Sequence, residues 1–185
     1  MRTEMDNNGK NRLAPFLLTA LVIILDQITK AIIVARWPRP GTLIKDVFNN
    51  DFLLFYHVRN KAIAFSLGDN IPHPYRFALF VIVPIVVLIF LTWYYFTTTD
   101  FNQPQRWAIA GIIGGGIGNI IDRVFRSDGV VDFISVKFYG LFGMARWPTF
   151  NVADSSVVIC CIILLITMLS PQKKFSKRKW GPYNE

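Results

Sequence analysis

The stretch FNVADSSVVICCIILLITML (150–169) decides the fold, because it is apolar and long enough to cross a membrane as a helix. Asp154 stands near its start, and a second carboxylate, Asp132, lies upstream in GVVDFI (129–134). An ionised carboxylate at or near hydrocarbon costs about 3 kcal/mol even on lenient insertion scales, so it persists mainly where function requires it. A pair of carboxylates is also the minimal equipment for acid–base activation of water.

Three further apolar runs are long enough to span a bilayer, at about 13–35, 76–97 and 105–123. The 185-residue chain is 52% hydrophobic, which is typical of a multi-span membrane protein and not of a soluble domain. The first run is too long, and too interrupted by polar residues, to be a cleavable signal peptide. We therefore predict an α-helical membrane protein with four transmembrane helices. Its predicted parts are a tail at 1–12, one four-span domain at 13–170 and a basic tail at 171–185.

The net charge of +8 could suggest a nucleic-acid partner, but the basic residues cluster at the two ends of the chain. No basic–aromatic pattern of a nucleic-acid module interrupts the apolar segments, so we expect no such partner. Basic flanks indicate the cytoplasmic side, and four spans return both termini to that side. The loops at 37–75 and 124–149 are then predicted to be extracytoplasmic. The basic residues at the ends are Arg2, Lys10, Arg12, Lys173, Lys174, Lys177, Arg178 and Lys179.

The first outer loop contains two segments rich in aromatic and branched residues, DFLLFYHV (51–58) and AIAFSLG (62–68). Asn, Gly and Asp residues bound both segments, and this pattern predicts short β-strands. The second outer loop is aromatic in FYGLFGMARWPTF (138–150), which is typical of a segment at the membrane interface.

Two polar groups lie inside or at the ends of the predicted spans. Asp26 and Lys30 are four residues apart on one helix face, and they form either a structural ion pair or part of a substrate site. In GNIIDR (118–123), Asn119 and Asp122 precede Arg123. This group is either a helix end with a solvated charge pair or a site that braces a loop or binds a substrate carbonyl.

Two asparagines allow similar alternatives. Asn151 stands three residues before Asp154, so it is either a plain helix N-cap or a hydrogen-bond donor to the carboxylate or the substrate. Asn60 lies beside Lys61 in the first outer loop and is either a turn residue or a functional one.

Other chemistries lack the residues that they need. The histidines, His57 and His73, stand in different contexts, and no Cys/His spacing matches a zinc site, so we expect no metal and no cofactor. Cys160 and Cys161 are adjacent, which makes a disulfide framework improbable. No nucleophile elbow and no phosphate-binding loop is present. Two close carboxylates share a proton, so one can activate water while the other polarises a carbonyl and later donates to the leaving amine. This is amide hydrolysis of the aspartic type.

The ordered motifs DQITK (26–30), NKAIAFS (60–66), GNIIDR, VVDFI and FNVADS resemble those of lipoprotein signal peptidase, also called signal peptidase II. The resemblance implies a four-span aspartic peptidase of the bacterial inner membrane. Such an enzyme removes the signal peptide from prolipoproteins by cutting before a cysteine that carries diacylglycerol. The implied partners are these substrates and membrane lipids, and we expect a monomer.

The resemblance also assigns residues. Asp132 and Asp154 match the catalytic pair, and Asp26 and Lys30 match a polar pair of the first span. The outer strands match a small sheet on the membrane, and the segment before FNVAD matches a lid. The family usually has glycine where this chain has Ala62, and the stretch between the two catalytic aspartates is longer here. The residues that match positions shaping the site and holding the substrate backbone are Asn60, Asn119, Asp122, Arg123 and Asn151.

Two other classes of function compete with this interpretation. Buried Asp and Lys residues also mark ion paths in small transporters, but transport sites favour the middle of the membrane, and the two aspartates lie near a span boundary. A non-enzymatic membrane scaffold would give no reason for two Asn-x-x-Asp pairs beside outer-face aspartates.

Overall fold

The computed structural model describes residues 12–60, 75 and 77–170. Within these residues, four helices are long and apolar enough to cross a membrane. They agree with the predicted spans to within a few residues at each end. The helices are α1 (Phe16–Arg36), α2 (Ala78–Thr97), α3 (Gln103–Phe125) and α4 (Val152–Leu169).

Helix α3 lies at the centre of the bundle. Half of the residues in its most apolar 18-residue stretch are buried inside the protein, against 17% for α2 and 11% for α4. Its glycines permit this position: a Cβ on Gly115 would overlap the carbonyl oxygen of Ala153 on α4, and one on Gly114 would lie 3.0 Å from the Cα of Thr19 on α1. Small residues of this kind let helix backbones approach closely in lipid, where no hydrophobic effect drives the helices together.

Helix α2 begins irregularly. A π-helical turn (Ala78–Ile82) precedes the α-helix Val83–Thr97, and the N–H of Val83 donates to the carbonyl of Ala78. Pro84 stands at the start of the α-helical part. Since proline has no N–H, the change of register falls where one helical hydrogen bond cannot form.

The outer segments form a three-stranded antiparallel sheet in the order β1 (Leu43–Asp46), β2 (Leu53–Asn60) and β3 (Val130–Val136). Strand β2 confirms the strand predicted at 51–58 and extends it to Asn60. Strands β1 and β3 were not predicted, and the segment predicted at 62–68 lies outside the described residues.

Strand β3 is buried on both faces at its start, because it lies between β2 and the helices. Val131 and Phe133 pack with Ile33 of α1 in one hydrophobic cluster, and Asp132 on the opposite face is only 2% exposed. The backbone of Phe150 then pairs with Ile134, so the chain enters α4 directly from the edge of β3. This pairing brings the strand that carries Asp132 beside the first turn of α4.

Candidate active site

The spacing in FNVAD forms a capping box at the start of α4. Asn151 is the N-cap, and its Oδ1 accepts the N–H of Asp154 at 2.9 Å. The Asp154 Oδ2 accepts the N–H of Asn151 at 3.3 Å. These reciprocal bonds satisfy two backbone donors of the first turn and fix the Asp154 carboxylate at the positive end of the helix. Both alternatives weighed for Asn151 therefore apply, because it is an N-cap and also a donor within the site.

Asp132 receives two amide donors from separate elements. Its Oδ1 accepts Asn151 Nδ2 at 2.7 Å, and its Oδ2 accepts Asn60 Nδ2 at 3.0 Å. Burial, and then the negative charge of Asp154, raise the pKa of Asp132 to about 7 against the lowering effect of the two amides and of Lys30. Asn151 thus contacts both carboxylates, which come from β3 and α4. Asn60 is the last residue of β2, not a turn residue.

Asn119 on α3 completes the contacts of Asp154. Its Nδ2 donates to Asp154 Oδ1 at 2.7 Å. Its Oδ1 accepts from Asn151 Nδ2 at 3.0 Å and from Lys30 Nζ at 3.1 Å. A side-chain amide has one acceptor and one donor end, so two donors on the oxygen fix the NH₂ group toward Asp154.

A buried ion cluster lies directly behind these amides. Lys30 Nζ is 2.7 Å from Asp26 Oδ2 and 3.1 Å from Asp122 Oδ2, and all three side chains are fully buried. Asp26 Oδ1 accepts the N–H of Ala153, and Asp122 Oδ2 accepts the N–H of Val131, each at 3.0 Å. The cluster therefore joins α1, α3, α4 and β3. This geometry fits the structural alternative for Asp26 and Lys30, because the hydrogen bonds among the described residues link Lys30 to Asp154 through Asn119.

Asp122 and Arg123 do not form the solvated charge pair that was one of the alternatives. Asp122 is fully buried, and its charged partners among the described residues are Lys30 and Arg126. Arg123 is half-buried and donates from Nη1 to the carbonyl of Phe80 at 3.3 Å. Its charge interacts with those of Asp132 and Asp154.

Sequence reasoning missed two residues of the cluster. Gln27 Nε2 donates to Asp26 Oδ2 at 3.1 Å and to Asp122 Oδ1 at 3.2 Å, so it links the two carboxylates that Lys30 neutralises. Arg126 Nε pairs with Asp122 Oδ1 at 3.1 Å. The available signals were an amide inside a membrane span and an Asp–Arg pair at a spacing of four residues.

No group of three or more His, Cys, Asp or Glu side chains within the described part of the chain could hold a metal ion. His57 is fully buried on β2, where its Nδ1 lies 2.6 Å from the carbonyl oxygen of Trp37. Metal independence stays a prediction.

The fold and the two carboxylates indicate a membrane-embedded hydrolase of the aspartic type. The signal peptidase (SPase) II family matches residues 18–170. The lipoprotein signal peptidase of Treponema denticola is 46% identical over 173 residues, which cover 94% of this chain and 98% of the relative. That of Treponema pallidum is 40% identical over 169 residues, covering 91% and 90%. A solved bacterial membrane enzyme structure matches with a TM-score of 0.70 at 30% identity, covering 92% of this chain and 94% of the other.

This chain belongs to the signal peptidase II family. It is a bacterial membrane protease that removes signal peptides from prolipoproteins, and the mechanism of the family is aspartic. The match covers nearly all of the described residues, so it decides against the transporter and scaffold alternatives.

Proposed function

We propose that Asp132 and Asp154 are the catalytic pair of this peptidase. The observation that carries the proposal is the hydrogen bonding of Asn151 to both carboxylates, one on β3 and one on α4. The side-chain amide of Asn151 donates to Asp132 and its backbone N–H donates to the Asp154 carboxylate, so one residue holds two carboxylates from separate segments. Asp154 is half-buried and Asp132 fully buried, which suits a site that admits a peptide at one side.

The environments of the two carboxylates suggest their roles. Asp132 is buried with its pKa raised to about 7, so a large fraction of it is protonated at neutral pH and can donate to a carbonyl oxygen. Asp154 accepts N–H bonds from Asn119 and Asn151 at a helix N-terminus, a setting that stabilises an anion. Asp154 is therefore proposed as the general base and Asp132 as the general acid.

The reaction then balances without another group. Asp154 takes a proton from water as the water oxygen bonds to the scissile carbonyl carbon, and Asp132 gives its proton to the carbonyl oxygen. The resulting gem-diol collapses as the C–N bond breaks. Asp154 passes its proton to the leaving nitrogen, and Asp132 recovers a proton from a gem-diol hydroxyl, so both residues return to their starting states.

The remaining residues divide into two groups. Arg123, Asn60 and Asn119 are half-buried beside the pair, and we propose that they also hold the substrate backbone through their N–H groups. Asp26, Lys30 and Asp122 are fully buried and would support the site from behind without touching substrate.

We further propose that the substrate carries a diacylglyceryl cysteine and that the cut falls before it. The enzyme would sit in the inner membrane as a monomer, with both termini in the cytoplasm and the site near the outer face. The support is the distribution of basic residues, together with a sheet that packs on the ends of the apolar helices. The single four-span domain at 13–170 and its two tails belong to the same proposal.

The test is cleavage by the purified protein in lipid. A prolipoprotein peptide bearing diacylglycerol on its cysteine should be cut directly before that residue, as read by the masses of the two products. The same peptide without lipid is the matched control, and it should be cut far more slowly, because each buried CH₂ contributes about 0.8 kcal/mol. Equal kcat/KM for the two peptides would contradict the proposed substrate, and cleavage at another bond would contradict the proposed site of the cut.

A further inference from the structure

The guanidinium of Arg123 is held by a backbone carbonyl. Its Nη1 donates to Phe80 O at 3.3 Å, and its Cζ lies 5.9 Å from the centre of the Phe80 ring. Among the described residues, no carboxylate oxygen lies within 4.0 Å of Arg123, although its charge interacts with both Asp132 and Asp154. The cation is thus near the catalytic pair but not ion-paired with it.

The Phe80 carbonyl is available because of Pro84. In an α-helix this carbonyl would accept the N–H of residue 84, four positions later, and proline has no N–H. In a π-helical register the donor to this carbonyl would be the N–H of Ile85, but the π-helical turn ends at Ile82 and the chain is α-helical from Val83. The π-helical turn ends at Ile82, so the change of register falls next to this proline. In the α-helical register that follows the turn, the Phe80 carbonyl therefore has no helical donor, and Arg123 Nη1 donates to it instead.

We propose that Pro84 is a positioning residue for Arg123. By withholding one N–H, it leaves the Phe80 carbonyl open, and this carbonyl holds the guanidinium short of an ion pair with the catalytic carboxylates. The inference rests on the proposed roles of Asp132 and Asp154.

Holding Arg123 back has a chemical consequence. A guanidinium that closed onto Asp154 would occupy the base and use the N–H groups that we propose for the substrate. It would also favour ionisation of Asp132, the proposed acid, since a nearer cation stabilises its charged form. The other groups that act on Asp132 are Asp154 of α4 and Lys30 of α1, together with the amides of Asn60 and Asn151. A guanidinium released toward the pair would therefore lower the pH at which the acid loses its proton.

The experiment restores the missing N–H. Pro84→Ala and Pro84→Leu both supply this N–H and differ in side-chain size, so both should return the Phe80 carbonyl to the helix and free Arg123. We expect kcat/KM to fall on the order of 10- to 100-fold, as for a misplaced active-site group. The alkaline limb of its pH profile should move to lower pH. The thermal unfolding temperature should be at least that of wild type, because a helical hydrogen bond is gained.

Pro104→Ala is the matched control. Pro104 lies in the first turn of α3, where its absent N–H has no helical acceptor to release, so activity should not change. The second test is a double-mutant cycle: in an Arg123→Gln background, Pro84→Ala should cause no further loss.

Three results would overturn the inference. They are a wild-type pH profile in both Pro84 variants, a loss that persists undiminished in the Arg123→Gln background, or reduced stability when the N–H is restored. Failure of the proposed function would look different, because Asp132→Asn would then keep its activity whatever the Pro84 variants did.

Discussion

Replacing Asp132 with asparagine should abolish cleavage and reverse its effect on stability between acidic and alkaline pH. Burial raises the pKa of this carboxyl from 3.8 to about 7 in the folded protein. Because the pKa of this carboxyl is higher in the folded than in the unfolded protein, its ionisation opposes folding. Its contribution to stability is complete below pH 3.8 and falls as the pH rises to 7. The difference of about 3 pH units corresponds to about 4 kcal/mol, all of it lost above pH 7.

Asparagine cannot ionise, so the variant does not carry this cost. The variant does lose one acceptor oxygen. In the wild-type protein the two carboxyl oxygens accept from Asn60 and Asn151. One buried amide donor would be left without a partner, at a cost of about 1 kcal/mol. We therefore expect Asp132→Asn to be about 3 kcal/mol more stable than wild type at pH 8 and about 1 kcal/mol less stable at pH 4.

The assay is thermal unfolding of both proteins in the same detergent at pH 4 and pH 8, together with peptide cleavage. The kcat should fall by about 10⁴-fold or more, and Asp132→Asn with Asp154→Asn together should be little worse than either change alone. Asp51→Asn is the control: Asp51 is exposed and paired with Lys137, so neither activity nor the pH dependence of stability should change. A stability difference that does not vary with pH would refute the account of the Asp132 environment, and substantial residual cleavage would remove the residue from the catalytic pair.

Three further predictions test the support, chemistry and orientation of the site. Lys30→Met leaves the fully buried Asp26 and Asp122 without their shared cation, so it should destabilise the protein by about 3–5 kcal/mol in detergent unfolding; an unchanged unfolding temperature would contradict this. Chelators should not inhibit cleavage, since the mechanism needs no metal, and loss of activity in EDTA with recovery on adding zinc would contradict it. A cysteine at position 128 should react with a membrane-impermeant thiol reagent added outside the cell, and labelling only from the cytoplasmic side would reverse the proposed orientation.

The four helices were predictable because a membrane span leaves a long and simple signal. Each needs about 20 apolar residues, and nothing else in a chain of this length imitates such a run. Strand β2 was predictable from its aromatic and branched residues between turn-forming ones. Strand β3 was not, because VVDFISV (130–136) is buried on both faces at its start and shows no alternation of polar and apolar residues.

The candidate site was predicted unevenly for a similar reason. The aspartates and asparagines stood out because polar groups near a membrane are costly, and the family resemblance paired them. Which groups touch each other depends on the packing of α1, α3 and β3, which the sequence does not encode locally. Thus Lys30 and Asp122 are ion-paired across two helices, and Arg123 is bound to the carbonyl of Phe80. The signal in the sequence for the π-helical turn next to this carbonyl was Pro84.

The alternatives set out for Asn151 turn out not to be alternatives, and this bears on how the site stays rigid. The capping box that starts α4 uses the Asn151 oxygen and the Asp154 carboxylate, while the Asn151 amide nitrogen donates to Asp132 and Asn119. A motion that separated the two carboxylates would have to break either the Asn151–Asp132 bond or the bonds that begin the helix, the latter at a cost of about 1 kcal/mol. The geometry needed for sharing one proton is thus tied to the folding of α4. We therefore expect any movement that admits substrate to occur in the outer segments around the pair and not in the pair itself.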